Sequence, residues 1–197
     1  MTAKNRGTSI DMLVRDGYLG VLKMINQMLE VKTPYLKGHS ARVSEHSVGI
    51  ARVIGLDASG IEIIRCAAIL HDIGKMGVSD LVLMKPGELN EDEWEEMRKH
   101  PVIGRRMVEE VKMFRAEEPI IEHHHEWYDG KGYPAGLKFG AIPLGSRIIS
   151  VADAYDAMVT SRPYRKALPS AAVRKNLKIF SGTQFDPDVV RAFLSTL

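Results

Sequence analysis

One cysteine in a chain of 197 residues closes off disulfide chemistry. Cys66 has nothing to pair with and sits in the apolar run from Ile61 to Leu70, so it reads as a buried structural thiol in a reducing compartment. Long apolar stretches are missing too. None reaches the roughly eighteen uninterrupted apolar residues of a membrane span, and Met1 to Asp11 lacks the apolar core of a signal peptide. The expected setting is therefore the cytoplasm, with no membrane partner. Charge of one sign is also scarce: 27 Lys and Arg against 25 Asp and Glu leave a formal net charge of +2. That bias is too small for duplex nucleic acid to be the expected partner. A small anionic ligand needs only a local cluster and stays allowed. Alternating strand patterns are nearly absent, and repeats, low-complexity segments and linkers are absent.

What is present is helical period. The length suits a single domain with a substantial core. Ile10, Leu13, Val14, Val21, Met24, Ile25 and Met28 fall on one stripe of a first helix, with the methionines as core filler, and Lys32-Thr33-Pro34 ends it. A second helix starts near Ser40, turns Val43, Ile50 and Ile54 inward and stops at Gly55. A third covers Ile61 to Leu70 and ends near Gly74. Asn90-Glu91-Asp92-Glu93 reads as a capping box opening a helix to about Lys99, where Pro101 interrupts. Helices are expected over 102–113 and 117–126, followed by the Gly- and Pro-rich loop Asp129–Gly136. A long helix is expected over 143–160, another capped by Ser170 and ended by Ser181-Gly182, and a last one opened by Asp186-Pro187. The expected fold class is all-α, a compact helical bundle.

The chemistry lies in the histidines and aspartates. A lone His on a helix is usually structural, and His46 is read that way. His39, His71, His100, His123, His124 and His125 form a different case, because most stand beside something suggestive. His71-Asp72 closes an apolar helix, and burying an imidazole next to a carboxylate is costly unless they are paired or bind metal. His124-His125-Glu126 borders the Gly-rich loop. Asp153 and Asp156, three residues apart, share a face of an otherwise apolar helix. Imidazole plus carboxylate is a ligand set for divalent transition metals. The chain offers too many such groups for one ion and about the right number for two, which together could clamp a phosphoryl group and acidify a water. Spacing alone does not show that they converge, since they lie on five predicted helices.

At this point the chain resembles a known family. His71-Asp72-Ile73-Gly74-Lys75 looks like the metal motif of HD-superfamily phosphohydrolases, and the segment from His124 through Glu126, Asp129, Gly130 and Gly132 to Tyr133-Pro134 looks like the longer signature of the HD-GYP subgroup. Ala152–Met158, Arg162-Pro163-Tyr164-Arg165, Gly38–Val43 and Phe185-Asp186-Pro187 match in order and spacing. The resemblance covers about residue 31 to the C-terminus. It implies residues 31–197 as an HD-GYP phosphodiesterase domain, with 1–30 an N-terminal helix in the position of a connector. It also implies an all-α fold around a di- or trinuclear metal centre. Position by position, His39, His71, Asp72 and Asp153 would hold one metal, and Asp72, His100, His124 and His125 the second, with Asp72 bridging. Asp72 and Lys75 would be the catalytic residues. A hydroxide between the metals would attack phosphorus. Lys75, Tyr133, Pro134, Asp156, Arg162 and Arg165 would meet the substrate.

The implied activity is hydrolysis of cyclic di-GMP to linear pGpG, GMP or both. Alternatives are another cyclic dinucleotide such as cyclic GMP-AMP, another nucleotide, or a non-catalytic sensor acting through the GYP loop, which in the family can also meet partner proteins. Iron or manganese is the favoured metal, with nickel, cobalt or zinc also suited. A homodimer is compatible with the sequence. Two departures stand out. Tyr35 occupies the position where some members carry a Glu that helps hold a third metal, which argues for two. His123 adds a third consecutive histidine, and register against Glu126 selects His124 and His125.

Overall fold

Buried backbone polar groups must be paired, and a sequence with hardly any strand pattern pairs them within helices. The computed structural model describes residues 4–161 and 166–197, with side chains from residue 17 onward except Leu19; Arg162 and Arg165 lie outside the described residues. Among the described residues the only extended pairing is one bridge between Ser181 and Phe185, so the fold is all-α. The helices are α1 (Lys4–Lys32), α2 (His39–Ile54), α3 (Ala58–Leu70), α4 (Asp80–Leu83), α5 (Glu91–Met97), α6 (His100–Val108), α7 (Glu118–Glu122), α8 (Leu144–Val159), α9 (Ser170–Ile179) and α10 (Pro187–Leu194).

Local chemistry explains several boundaries. Gly55 ends α2 in the left-handed region at φ 87°, where its N–H reaches the carbonyls of Ala51 and Arg52. Asn90 and Glu93 form the reciprocal capping box at the start of α5. Asp186 caps α10 ahead of Pro187 by accepting from the Asp188 N–H. Other expectations are corrected. Pro101 does not interrupt a helix; it sits in the first turn of α6, where its missing N–H costs nothing. α6 stops at Val108, well short of 113, and α7 is only five residues long, so His123–His125 lie in a turn. Ser170 is the first residue of α9, after Pro169 at the cap position, and α9 already ends at Ile179.

α3 is apolar on nearly all sides, which is the pattern of a central helix. One face joins Val43 and Ile50 of α2, Ile148 and Val151 of α8, Leu177 of α9 and Phe193 of α10 through Ile64 and Ala67. The other face joins Leu22 of α1, Val108, Phe114 and Ile121 through Cys66 and Leu70. The segment that follows α3, His71-Asp72, is therefore delivered to the middle of the molecule. Cys66 is fully buried and accepts from the Tyr18 hydroxyl at 2.6 Å; burial pushes its thiol up to about 12, so it is inert, as expected of a structural thiol.

Helix α1 turns a different stripe inward from the one its periodicity suggested. Leu22 and Leu29 are buried and Tyr18 and Ile25 pack on the cluster that holds Leu22, whereas Met24 and Met28 are each 53% exposed and Val21 is 40% exposed. Ile54, expected inward on α2, also faces solvent. The C-terminal half of α1 is thus part of the same packed body as residues 31–197. Its last residue, Lys32, donates to the Met76 carbonyl at 3.1 Å and pairs with Asp80.

The turn after Asp72 crosses α6 so closely that only glycine fits at position 74. A Cβ there would run into the carbonyl of His100 and the backbone nitrogen of Gly104. Gly74→Ala is expected to destabilise the protein by about 3 kcal/mol or more, because backbone on both sides leaves no flexible side chain to give way. For a chain of this length that lowers Tm by roughly 6–12 °C in a thermal melt.

Candidate metal centre

Six of the seven candidate ligands come from helix ends, where backbone groups are left without partners. His39 opens α2, His71 and Asp72 follow α3, His100 opens α6, His124 and His125 follow α7, and Asp153 lies within α8. Three of these histidines are fixed by the same local device. The Nδ1–H of His71 donates to the Ala68 carbonyl at 2.7 Å, that of His100 to Met97 at 2.8 Å, and that of His124 to Ile121 at 2.7 Å. Each acceptor belongs to the last turn of the preceding helix. A carbonyl oxygen can only accept, so Nδ1 holds the proton and Nε2 of each neutral ring presents a lone pair.

Those lone pairs converge on Asp72, which is 1% exposed. Its Oδ1 lies 3.4 Å from His100 Nε2, while its Oδ2 lies 3.5 Å from His71 Nε2, 3.9 Å from His39 Nε2 and 2.6 Å from Lys75 Nζ. Asp72, His100, His124 and His125 can each turn one donor atom to within 4.8 Å of the others, and so can His39, His71 and Asp72. The two oxygens of one carboxylate thus face two separate histidine sets. Asp153 reaches the first set from α8, with Oδ1 3.3 Å from His39 Nε2.

The donor set fits a divalent cation on its own geometry. His100 Nε2 and His124 Nε2 face each other at 3.3 Å, and both carry lone pairs. Burial is the main reason that neither takes up a proton readily: His100 is pushed down to about 3 and His124 well below the usual imidazole range, with His125 adding to both. His71 Nε2 is buried without a hydrogen-bond partner among the described residues. Lone pairs aimed at one another and at a carboxylate, with no proton between them, are completed by a cation.

The surrounding groups set the charge. Burial opposes ionisation of Asp72, but Lys75 against it, with protonated His39 nearby, outweighs it and holds the carboxylate well below its usual range. Burial likewise works against charge on His39, yet hydrogen bonds with Asp153 and Asp156 lift it to about 9. A cation bound there would take the place of that proton.

Asp156 is the main correction among the expected site residues. It was read as a substrate contact, but it is 1% exposed and lies behind His39. Its Oδ2 accepts from His39 Nδ1 at 2.7 Å, and Arg42 grips both oxygens through Nε at 2.5 Å and Nη2 at 3.1 Å. It orients His39, a candidate ligand, and both of its oxygens are already engaged. Arg42 was not singled out from the sequence. The available signal was spacing, since Arg42 follows His39 by three residues as Asp156 follows Asp153.

The GYP loop folds back over the ligand turn. Gly132 passes so near the backbone of His125 and Trp127 that a Cβ would collide with it. The Tyr133 N–H donates to the His125 carbonyl at 3.2 Å, and its ring packs on the His125 ring at 4.9 Å between centroids. Buried Glu126 accepts from the Ala135 and Leu137 N–H groups at 2.7 and 3.1 Å, a loop-holding role the sequence did not disclose. Burial, with Asp72 and Asp153 nearby, pushes the Tyr133 hydroxyl well up, so it stays a donor. Pro134 is exposed beside it. His123 stands between Glu122 and Glu126, at 3.7 and 3.4 Å, outside the cluster. His46 packs edge-on against Tyr155 and Phe193, also away from it.

A family profile described as HD domain matches residues 23–189. The chain belongs to the HD-domain family. Its 124–134 segment carries the pattern that resembles the HD-GYP subgroup. Among curated proteins this HD domain is 39% identical over 181 residues, 88% of its length, to a cyclic di-GMP phosphodiesterase of Thermotoga maritima, of which it covers 48%. It is 36% identical over 187 residues, 92% of its length, to the 3'3'-cGAMP-specific phosphodiesterase 3 of Vibrio cholerae, of which it covers 40%. The chain therefore spans less than half the length of these relatives. Among solved structures the fold matches Bd1817, described as an HDGYP protein of Bdellovibrio bacteriovorus, with a TM-score of 0.66 at 23% identity over 80% of this chain and 51% of that one.

Proposed function

We propose that this chain is the catalytic domain of a metal-dependent cyclic dinucleotide phosphodiesterase of the cytoplasm. Its substrate in this reading is cyclic di-GMP, opened to linear pGpG and onward to GMP. The observation that carries it is Asp72, whose two oxygens face two histidine sets at the centre of the fold. The names of the curated relatives support the substrate class. One metal would be held by His39, His71, Asp72 and Asp153, and the other by Asp72, His100, His124 and His125, iron or manganese suiting such a set. Bound divalent ions supply Lewis acidity toward phosphoryl oxygens and make a water acidic enough to attack at neutral pH.

The chain's own groups do the rest. Lys75 already lies against Asp72, where its ammonium offsets charge on an incoming phosphate. The protonated Tyr133 hydroxyl donates from the loop side. Arg162 and Arg165 are assigned to the outer phosphate by the family pattern, as bidentate donors. Residues 31–197 with the second half of α1 make the catalytic unit, and the first half of α1 is its connector.

Elemental analysis of anaerobically purified protein, followed by turnover of cyclic di-GMP with iron or manganese, tests the reading. Two equivalents of metal per chain and release of pGpG or GMP are expected. Manganese added to metal-free protein at about a hundred times its dissociation constant should also raise Tm by roughly 5–10 °C, since only the folded state binds it. One metal per chain would remove the dinuclear assignment, and metal binding without turnover would favour a cyclic-dinucleotide sensor.

A further inference from the structure

We propose that Trp94 and Arg98, together with Tyr133, form a guanine-binding platform beside the metal centre; the proposal rests on the cyclic-dinucleotide reading. Trp94 lies on α5 and Arg98 caps its C-terminal end, one turn later on the same face and two residues before His100. The Arg98 guanidinium carbon is 5.9 Å from the Trp94 ring centre and 6.0 Å from that of Tyr133. The Tyr133 ring in turn rests on His125. A continuous row thus leads outward from a candidate ligand through Tyr133 and Arg98 to Trp94.

Trp94 is 45% exposed, and Arg98 has no carboxylate partner among the described residues, whereas Lys99 beside it pairs with Glu95. Two aromatic rings hold the guanidinium in place and leave its donors free. Such a fork matches one base edge best. Guanine offers two acceptors, O6 and N7, while adenine places a donor, N6, where guanine has O6, and Arg can only donate. An exposed indole next to it supplies the face on which a purine stacks. With the phosphodiester at the metals and Lys75, one base of the substrate reaches this row.

The test compares wild type, Trp94→Ala, Arg98→Met and Arg98→Lys, all loaded with manganese, on cyclic di-GMP, cyclic di-AMP and bis(p-nitrophenyl) phosphate, which has no base. Arg98→Met is expected to raise KM for cyclic di-GMP about 10-fold or more and to narrow the preference over cyclic di-AMP. Turnover of the base-free diester should be unchanged, and Arg98→Lys should recover only part of the loss. Equal losses on all three compounds, or unchanged KM values, would overturn the proposal. Titration of metal-loaded protein with cyclic di-GMP gives a second measurement that needs no turnover. Tryptophan fluorescence should be quenched in wild type and nearly unquenched in Trp94→Phe, which retains Trp127. Quenching that survives in Trp94→Phe, or its absence in wild type, would overturn the platform. A wild type that hydrolyses only the base-free diester contradicts the cyclic-dinucleotide activity itself, and the binding titration still decides whether the platform takes guanine.

Discussion

Asp72→Ala is expected to abolish binding of both metals and with it all measurable turnover of cyclic di-GMP. The loss should go well beyond the roughly 10–100-fold that removing a ligand's supporting partner costs. The argument is geometric. One oxygen of Asp72 faces His100 and the other faces His71 and His39, so deleting the carboxylate strips a ligand from each donor set. The fold should survive. Lys75 loses its partner, but its side chain is 16% exposed and can turn to water. Burial already disfavours a proton on His100, His124 and His125, and His39 stays paired with Asp153 and Asp156. Circular dichroism, metal content and turnover on the same preparation check this. Full turnover by Asp72→Ala with added manganese would exclude a shared-ligand role.

Asp156→Asn should weaken metal affinity by roughly 10–100-fold while leaving KM near its wild-type value once metal is saturating. The carboxylate has three donors on two oxygens, His39 Nδ1 and two nitrogens of Arg42. An amide keeps one acceptor and sets an N–H₂ against a donor, so either His39 or Arg42 loses its partner. His39 then loses the fixed orientation that presents Nε2 to the site. Competition with a chelator gives the affinity, and kinetics across a metal titration separate the two roles. A raised KM that persists at saturating metal would return Asp156 to the substrate surface.

Why the sequence led to the other role for Asp156 is a matter of helical geometry. Asp153 and Asp156 do share a face of α8, but three residues leave them about 60° apart around the axis. That angle is enough to place Asp153 at the cleft and Asp156 in the seam with α2. Periodicity reports that two residues are neighbours; it does not report what lies opposite each. The same limit explains α1. Its apolar positions allow more than one stripe, and the burial of Leu22 rather than Met24 and Met28 was decided by where α3 and the Phe114 turn lie.

What the sequence determined by itself is local. Gly55, the Asn90–Glu93 box and Asp186-Pro187 mark helix ends because each satisfies its neighbours' backbone groups within a few residues. The all-α class follows from apolar period, and the candidate ligands follow from residue type and motif, since few other side chains suit a divalent metal. Only the tertiary structure decided that groups spread from His39 to Asp153 meet, and that Asp72 divides its oxygens between two histidine sets. It also decided that Asp156 and Arg42 stand behind His39, and that Tyr133 folds onto His125. The reason is that convergence depends on how the ends of α2, α3, α6 and α7 pack against the middle of α8. That packing is set by side-chain volumes and by close backbone crossings such as Gly74 over His100, which no local pattern along the chain encodes.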